Sequence, residues 1–468
     1  MSIVEFILLS AVNVVLICVM IRRRDIASAE GLCLAYLGVA AASDSSALLF
    51  HFIFSPDALP LGYREFAFRL YPTALEILGL LVLFVALEIV DGRPRTLSRE
   101  LDARQLSKLK NLGLAIAALG GILTLIALWL VGAFSGASFY SALNLFRDQA
   151  LPFGGFWYRG ADIAVFGLAL TLPAMQNQMK RFVFVLSLMM FVSFFLRTNK
   201  GGLEEPVIWG ALVLYVYNRT LFRKLCRLRI AAVLLLLAFF GVGAKFWILP
   251  NQGDGASSRR SFAQMITEAG AATAMRWSDD GLYRGYCQFV NSLSGNRALF
   301  RNYKVGVYSL VSWIPRFLYP QKPDHPFRGL GYMIYSDFHT FEEETPAPML
   351  MGSAMADRGV VSLIAYLALA GAFLGIFRRF AASAQSIAVH CGYIMFVLFG
   401  GFSAEEGTLG ILYTLFLVFG VVAAAQLLLF TADLLTLRLP LHPVFAAVNV
   451  QRGGVELAKT NAVKSEAD

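Results

Sequence analysis

About eleven apolar stretches, most of them near the 18–25 residues a helix needs to cross a bilayer, follow one another along this chain. They lie near 3–20, 31–54, 66–90, 112–134, 162–175, 182–196, 207–217, 230–249, 360–377, 386–402 and 409–429. In lipid only helices and closed barrels can hydrogen-bond all of their own backbone. Stretches of this length without alternation therefore predict an all-α, polytopic integral membrane protein. Composition agrees, because 57% of residues are hydrophobic and only 15% are charged, against ~25% in soluble domains. Residues 1–468 read as one polytopic membrane domain, without internal repeats and without a soluble domain. The first stretch precedes its arginines, the reverse of a signal peptide, so it is expected to stay as a spanning helix.

The net charge of +9 does not point to nucleic acid, because the cations sit in short clusters between apolar stretches. These clusters are Arg22 to Arg24, Arg93 to Lys110, Lys180 with Arg181, Arg219 to Arg229, and Arg378 with Arg379. Under the positive-inside rule, a chain with its N-terminus outside puts every cluster on the cytoplasmic side. The polar tail, 431–468, is then cytoplasmic, and the long 250–350 loop between the eighth and ninth stretches is outside. That loop is too long to be a connector alone. Within it, Arg276, Trp277, Arg284 and Tyr286 suggest a helix presenting aromatic and cationic groups. A second, amphipathic segment is expected at 303–318, lying at the interface. Five scattered cysteines without a CxxC spacing predict neither a disulfide framework nor a metal site.

Within the loop, Pro315, Pro320, Pro323 and Pro326 forbid a long helix. Between and beside them run Trp313, Arg316, Tyr319, Lys322, Asp324, His325 and Arg328. Proline-stiffened backbone fixes cations that would otherwise wander, which suits the recognition of an anion; the plainer reading is a structural loop with solvated charges. Arg197 and Lys200, followed by Gly201 and Gly202, put two cations and a flexible turn at the outer end of the sixth stretch. They read equally as snorkelling anchors. Arg276 and Arg284 flank Asp279 and Asp280 at helical spacing and can simply pair with them. Glu342 to Glu344 form an acidic rim, and Arg358, just before the ninth stretch, is an anchor or a pocket cation.

Embedded polar residues are Asp44 and His51 in the second stretch and Arg69 and Glu76 in the third. A charge in the bilayer costs on the order of 3 kcal/mol, so these must face a cavity or each other. Arg69 and Glu76 lie two turns apart on one face and are expected to lean towards a shared partner. The sequence has no P-loop, HExxH or GxSxG. No metal and no cofactor is expected, and an anionic substrate would be held by arginine and lysine, whose forks and ammonium groups suit pyrophosphate.

Arg197 to Gly202 after an apolar helix, the long outer loop, and Ile314-Pro-Arg-Phe-Leu-Tyr-Pro-Gln-Lys-Pro323 resemble the oligosaccharide repeat-unit polymerases. These are the Wzy-type polymerases of O-antigen and exopolysaccharide. Met351-Gly-Ser353 through Arg358-Gly359, entering an apolar helix, fits too. Specific likeness covers about 195–205 and 310–360, the rest being likeness of topology; where family members often show a Ser-Arg-Gly element, this chain has Leu196-Arg197-Thr198. The resemblance implies a nucleotide-independent glycosyltransferase of the bacterial inner membrane with a large periplasmic loop. Its substrates would be undecaprenyl-pyrophosphate-linked glycans, and a chain-length regulator and a flippase of the same pathway would be its partners. On this reading Arg316, Lys322, His325 and Arg197 are catalytic, His325 being the base, with Asp324 and Glu344 as further base candidates. Arg197, Arg316, Lys322 and Arg358, with Arg276 and Arg284 next, sit on pyrophosphate groups, Lys200 and Arg328 are further substrate-binding cations, and Trp313, Tyr319 and Trp277 stack on sugars or form an aromatic belt. An O-antigen ligase, a flippase or transporter, and a non-catalytic export subunit are the competing readings. A transporter would carry midplane charges in both halves, whereas Asp44, Arg69 and Glu76 all fall in the first.

Overall fold

Long apolar stretches with few interior breakers wind into long helices in the computed structural model. It describes residues 2–54, 62–92, 96–130, 154–176, 178–197, 204–226, 281–295, 304–314, 318–323, 326, 349–403 and 407–438. The helices are α1 (Ser2–Arg23), α2 (Ala29–Phe54), α3 (Gly62–Asp91), α4 (Ala103–Leu130), α5 (Gly154–Ala169), α6 (Met179–Arg197), α7 (Glu204–Tyr217) and α8 (Arg219–Leu225). After these come α9 (Gly281–Gly295), α10 (Val305–Val311), α11 (Met349–Met355), α12 (Val360–Ser383), α13 (Ile387–Leu398) and α14 (Ile411–Arg438). There is no named β-strand among the described residues.

Every expected apolar stretch falls on a helix except 230–249, which lies outside the described residues. The 162–175 stretch is divided: α5 begins at Gly154, and Leu172–Met175 forms a separate 3₁₀ turn carrying Pro173. A proline there removes an amide that an α-helix would need. The last helix runs on to Arg438, through the first residues of the expected tail.

Among the described residues, five helices are long and apolar enough to cross a membrane: Val4–Arg23, Ala67–Asp91, Ala103–Leu130, Val360–Ser383 and Ile411–Leu434. Pro206–Tyr217 and Ile387–Leu398 are shorter apolar helices. Their outward faces are apolar as well, as Val4, Leu8, Val12, Val15 and Val19 show along α1 and Leu427 and Phe430 on α14. A soluble helix would place charges there. The protein is thus an all-helical membrane protein.

Packing follows the small residues. Along α4, Gly113 and Gly120 meet Gly160, Ala164 and Gly167 of α5 so closely that a Cβ on Gly120 would strike the Ala164 amide nitrogen. Such seams of small residues let helices approach backbone to backbone, where lipid supplies little hydrophobic drive for association. On α12, Gly371 faces α3, where its Cβ would lie 2.7 Å from the Leu83 carbonyl oxygen.

The helix ends that carry basic clusters gather at one end of the bundle. Arg24, after α1, reaches Asp91 at the end of α3 (2.6 Å) and Glu88 (2.9 Å). Arg378 of α12 pairs with Asp91 (3.1 Å) and Glu30 of α2 (3.5 Å). Arg99 donates to the carbonyls of Ala384 and Gln385, and its amide to that of Val216 at the end of α7. Asn218 ties the Pro173 turn, and with it the start of α6, to the same end (3.0 Å). Arg24 and Arg378, expected on the basic rim, are fully buried in this network. Single exposed ion pairs are worth ~0–1 kcal/mol, but breaking a buried network costs ~3–5 kcal/mol. These arginines therefore lock α1, α2, α3 and α12 together. At the opposite end sit α9, α10 and α11, joined by a second apolar cluster of Phe289, Leu293, Val305, Ala356 and Leu409.

Candidate functional site

The 304–323 part of the 250–350 loop is pinned at three points. Lys304 adopts a left-handed conformation (φ 50°) and starts α10. The first amides of a helix have no partner within it, and here Val305 and Gly306 donate to the Asp357 carboxylate at 2.7 and 2.9 Å. Asp357 comes from the turn between α11 and α12, and it also accepts the Tyr366 hydroxyl (2.5 Å). Gly306 makes this approach possible, since a Cβ there would strike the Tyr366 hydroxyl. At the other end of α10, Lys322 Nζ donates to the carbonyls of Ser312 (2.5 Å) and Ile314 (3.1 Å), with the Tyr308 ring 6.0 Å away. A cation suits a helix C-terminus. The third pin is Trp313, stacked on Phe416 of α14 at 4.1 Å and 13°, with its indole N–H on the Leu310 carbonyl. Hydrogen bonds to charged groups contribute ~1.5–3 kcal/mol each and a ring pair ~0.5–1.5 kcal/mol, enough to hold the segment in one place.

Among the residues singled out from sequence, the structure ties Lys322 and Arg358 into this one unit. Arg358 is exposed on the turn beside Asp357, and its amide donates to Ser362 (3.0 Å). The indole of Trp313 has one face on Phe416, and Tyr319 is exposed. Arg197 closes α6 and Arg284 lies on α9, their side chains being outside the described residues. Lys200, Arg276, Arg316, His325 and Arg328 lie outside the described residues altogether, as do Trp277, Asp324 and Glu344. Asp357, which carries the assembly, was overshadowed in the sequence by its cationic neighbour; an acid directly before Arg358-Gly359 was the available signal.

The helix expected around Arg284 exists as α9, but its aromatic residues point inward. Tyr283 and Tyr286 are buried against α3, so Tyr286 is not presented outward as expected. Burial holds both hydroxyls well above the ordinary tyrosine range, so they remain donors. The reason for this docking lies in Pro72, inside α3. Proline has no N–H, so the Phe68 carbonyl one turn earlier loses its helical partner. Asn291 of α9 supplies one from its amide (2.8 Å), while Tyr286 donates to the Pro72 carbonyl (2.9 Å).

Below α9 lie the embedded charges. Arg69 and Glu76 do not share a partner. Arg69 forks onto Asp44 of α2 through Nε (3.0 Å) and Nη2 (3.2 Å). Glu76 Oε2 accepts from Asn13 of α1 (3.0 Å) and from Tyr283 (2.7 Å), whose hydroxyl lies 3.0 Å from Thr73. Asn13, an isolated amide in an apolar stretch, was the overlooked member of this group.

Together these features define a helical membrane protein with a pinned segment, 304–323, packed at one end of the bundle over a buried polar group. Comparison with protein-family models, with curated proteins and with solved structures finds no match to this chain.

Proposed function

We propose that the protein is a membrane glycosyltransferase that joins undecaprenyl-pyrophosphate-linked oligosaccharide repeat units into O-antigen, capsule or exopolysaccharide. In this reading about eleven helices span the inner membrane, the N-terminus and the 250–350 loop are periplasmic, and the tail is cytoplasmic. The observation that carries it is the platform: Lys322 and Arg358 belong to one pinned unit, at the end of the bundle away from the basic clusters. Gathering of the basic helix ends at one end supports the same orientation.

In the reaction an acceptor sugar hydroxyl attacks the anomeric carbon of the growing glycan. The carbon–oxygen bond to the lipid pyrophosphate breaks, the new glycosidic bond forms, and the hydroxyl proton passes to a base, for which His325 is the candidate. Charge grows on the departing pyrophosphate, and preorganised cations lower that barrier by ~3 kcal/mol each. Arg316, Lys322, Arg197 and Arg358 take this role, with Arg276, Arg284, Arg328 and Lys200 along the glycan-lipid. Lys322 would exchange its carbonyl partners for phosphate oxygens.

The test is the length distribution of surface polysaccharide in a deletion strain complemented with wild type, Arg316→Ala or Lys322→Ala. Single repeat units in the deletion strain and both variants, with long chains only from wild type, support the proposal. Full-length chains from both variants refute the role of the platform. A second reading, transport, draws on the buried Asp44–Arg69 pair and Glu76 within spanning helices. It predicts that no repeat units reach the surface at all.

A further inference from the structure

Two oxygens in the group beneath α9 have no donor. Glu76 Oε1 and Asn13 Oδ1 are both buried and unpartnered, although the two side chains already touch through Asn13 Nδ2 and Glu76 Oε2. Each residue is only 1% exposed. An unsatisfied buried acceptor is costly, and a buried carboxylate without a cation is more costly still. Among the described residues no cation forms an ion pair with Glu76, and the nearby Arg69 is forked onto Asp44.

We propose that this group is a proton-binding site: Glu76 holds a proton on Oε1 in the folded protein and donates it to Asn13 Oδ1. One proton then satisfies both orphan oxygens and closes an acid–amide pair with two parallel hydrogen bonds. It also removes the charge from a stretch of α3 that is otherwise apolar. Oε2 remains the acceptor for Asn13 Nδ2 and the Tyr283 hydroxyl, so the proton-bearing group is also the seat of α9. The site therefore binds a proton from solvent, and its occupancy is coupled to the docking of α9 on α3. The titratable and charged groups around it are Cys33 and Asp44 on α2, Arg69 and Tyr71 on α3, and Tyr283, Tyr286 and Cys287 on α9. From α1 the neutral Asn13 meets it.

The experiment is infrared difference spectroscopy on the full chain in lipid nanodiscs at neutral pH, comparing wild type with Glu76→Gln and Asn13→Leu. The expected result is a protonated-carboxyl carbonyl band in wild type that is absent from Glu76→Gln. In Asn13→Leu it moves to higher frequency, because the proton loses its acceptor. Glu76→Gln should also keep the wild-type melting temperature, since the amide reproduces every hydrogen bond of the neutral acid. Loss of carboxylate bands instead of the acid band in Glu76→Gln would overturn the proposal, and so would failure of that variant to fold. A carboxylate signature with a melting temperature that rises with sodium concentration would replace the proton by a bound cation. An acid band unchanged by Asn13→Leu would refute the shared proton.

Discussion

Pro72 and Asn291 should be energetically coupled although they lie on different helices. In wild type the Phe68 carbonyl depends on Asn291, because Pro72 has no N–H to offer it. Asn291→Ala leaves that carbonyl without a donor, at a cost of ~2 kcal/mol. In a Pro72→Ala background the new backbone amide reaches Phe68 in the ordinary helical way. Removing Asn291 then costs only an auxiliary hydrogen bond, ~0.5–1 kcal/mol. The difference, ~1–1.5 kcal/mol, is the coupling that a double-mutant cycle reads. Hydrogen exchange of residues 281–295 in nanodiscs measures it, since the opening of α9 is a local unfolding event. Asn291→Ala should speed that exchange ~30-fold beside Pro72 but only ~2–5-fold beside Ala, at 1.4 kcal/mol per factor of ten. Equal acceleration in both backgrounds would refute the idea that a proline-made vacancy seats α9.

Two further perturbations test the packing and the platform. Gly120→Leu drives a side chain into the Ala164 backbone and should destabilise by ~3 kcal/mol or abolish folding. Gly121→Leu next to it, with nothing within 4 Å, should melt like wild type; similar melting of both would remove the α4–α5 seam as a determinant. Asp357→Ala strips two helix-end amides and the Tyr366 hydroxyl of their acceptor. It should cost ~3 kcal/mol, read as roughly 100-fold faster exchange over 305–311 with α3 unchanged.

Helix existence was legible because length and hydropathy act locally: each expected stretch within the described residues became a helix, and their misplacements follow local breakers such as Pro173. The expectation that Asp44 and Arg69 would face each other or a cavity followed from the cost of a lone charge in lipid, and they are paired. What could not be read is which partner each group takes. Glu76 and Arg69 share a helix face, yet tertiary contacts from α1, α2 and α9 divide them. The inward turn of α9 was visible as apolar residues at 283, 286, 287, 290 and 293, a helical stripe. Asp357 reaches the amides of Val305 and Gly306 over a sequence separation of about fifty, and no local pattern announces such a cap.

The buried arginines at the basic end have a consequence for biogenesis. Topology is decided while a nascent chain meets the insertion machinery, before α3 and α12 have come together. In the orientation proposed above, Arg24 and Arg378 would at that stage act with their neighbours as signals that hold a helix end back from translocation. Later the same guanidiniums close on Glu30, Glu88 and Asp91 and disappear from the surface. On that orientation each of these arginines would serve twice, first as an address label and then as a bolt. A substitution such as Arg24→Gln would then act at two moments in the life of the chain, when the helix is oriented and again when the bundle closes around it.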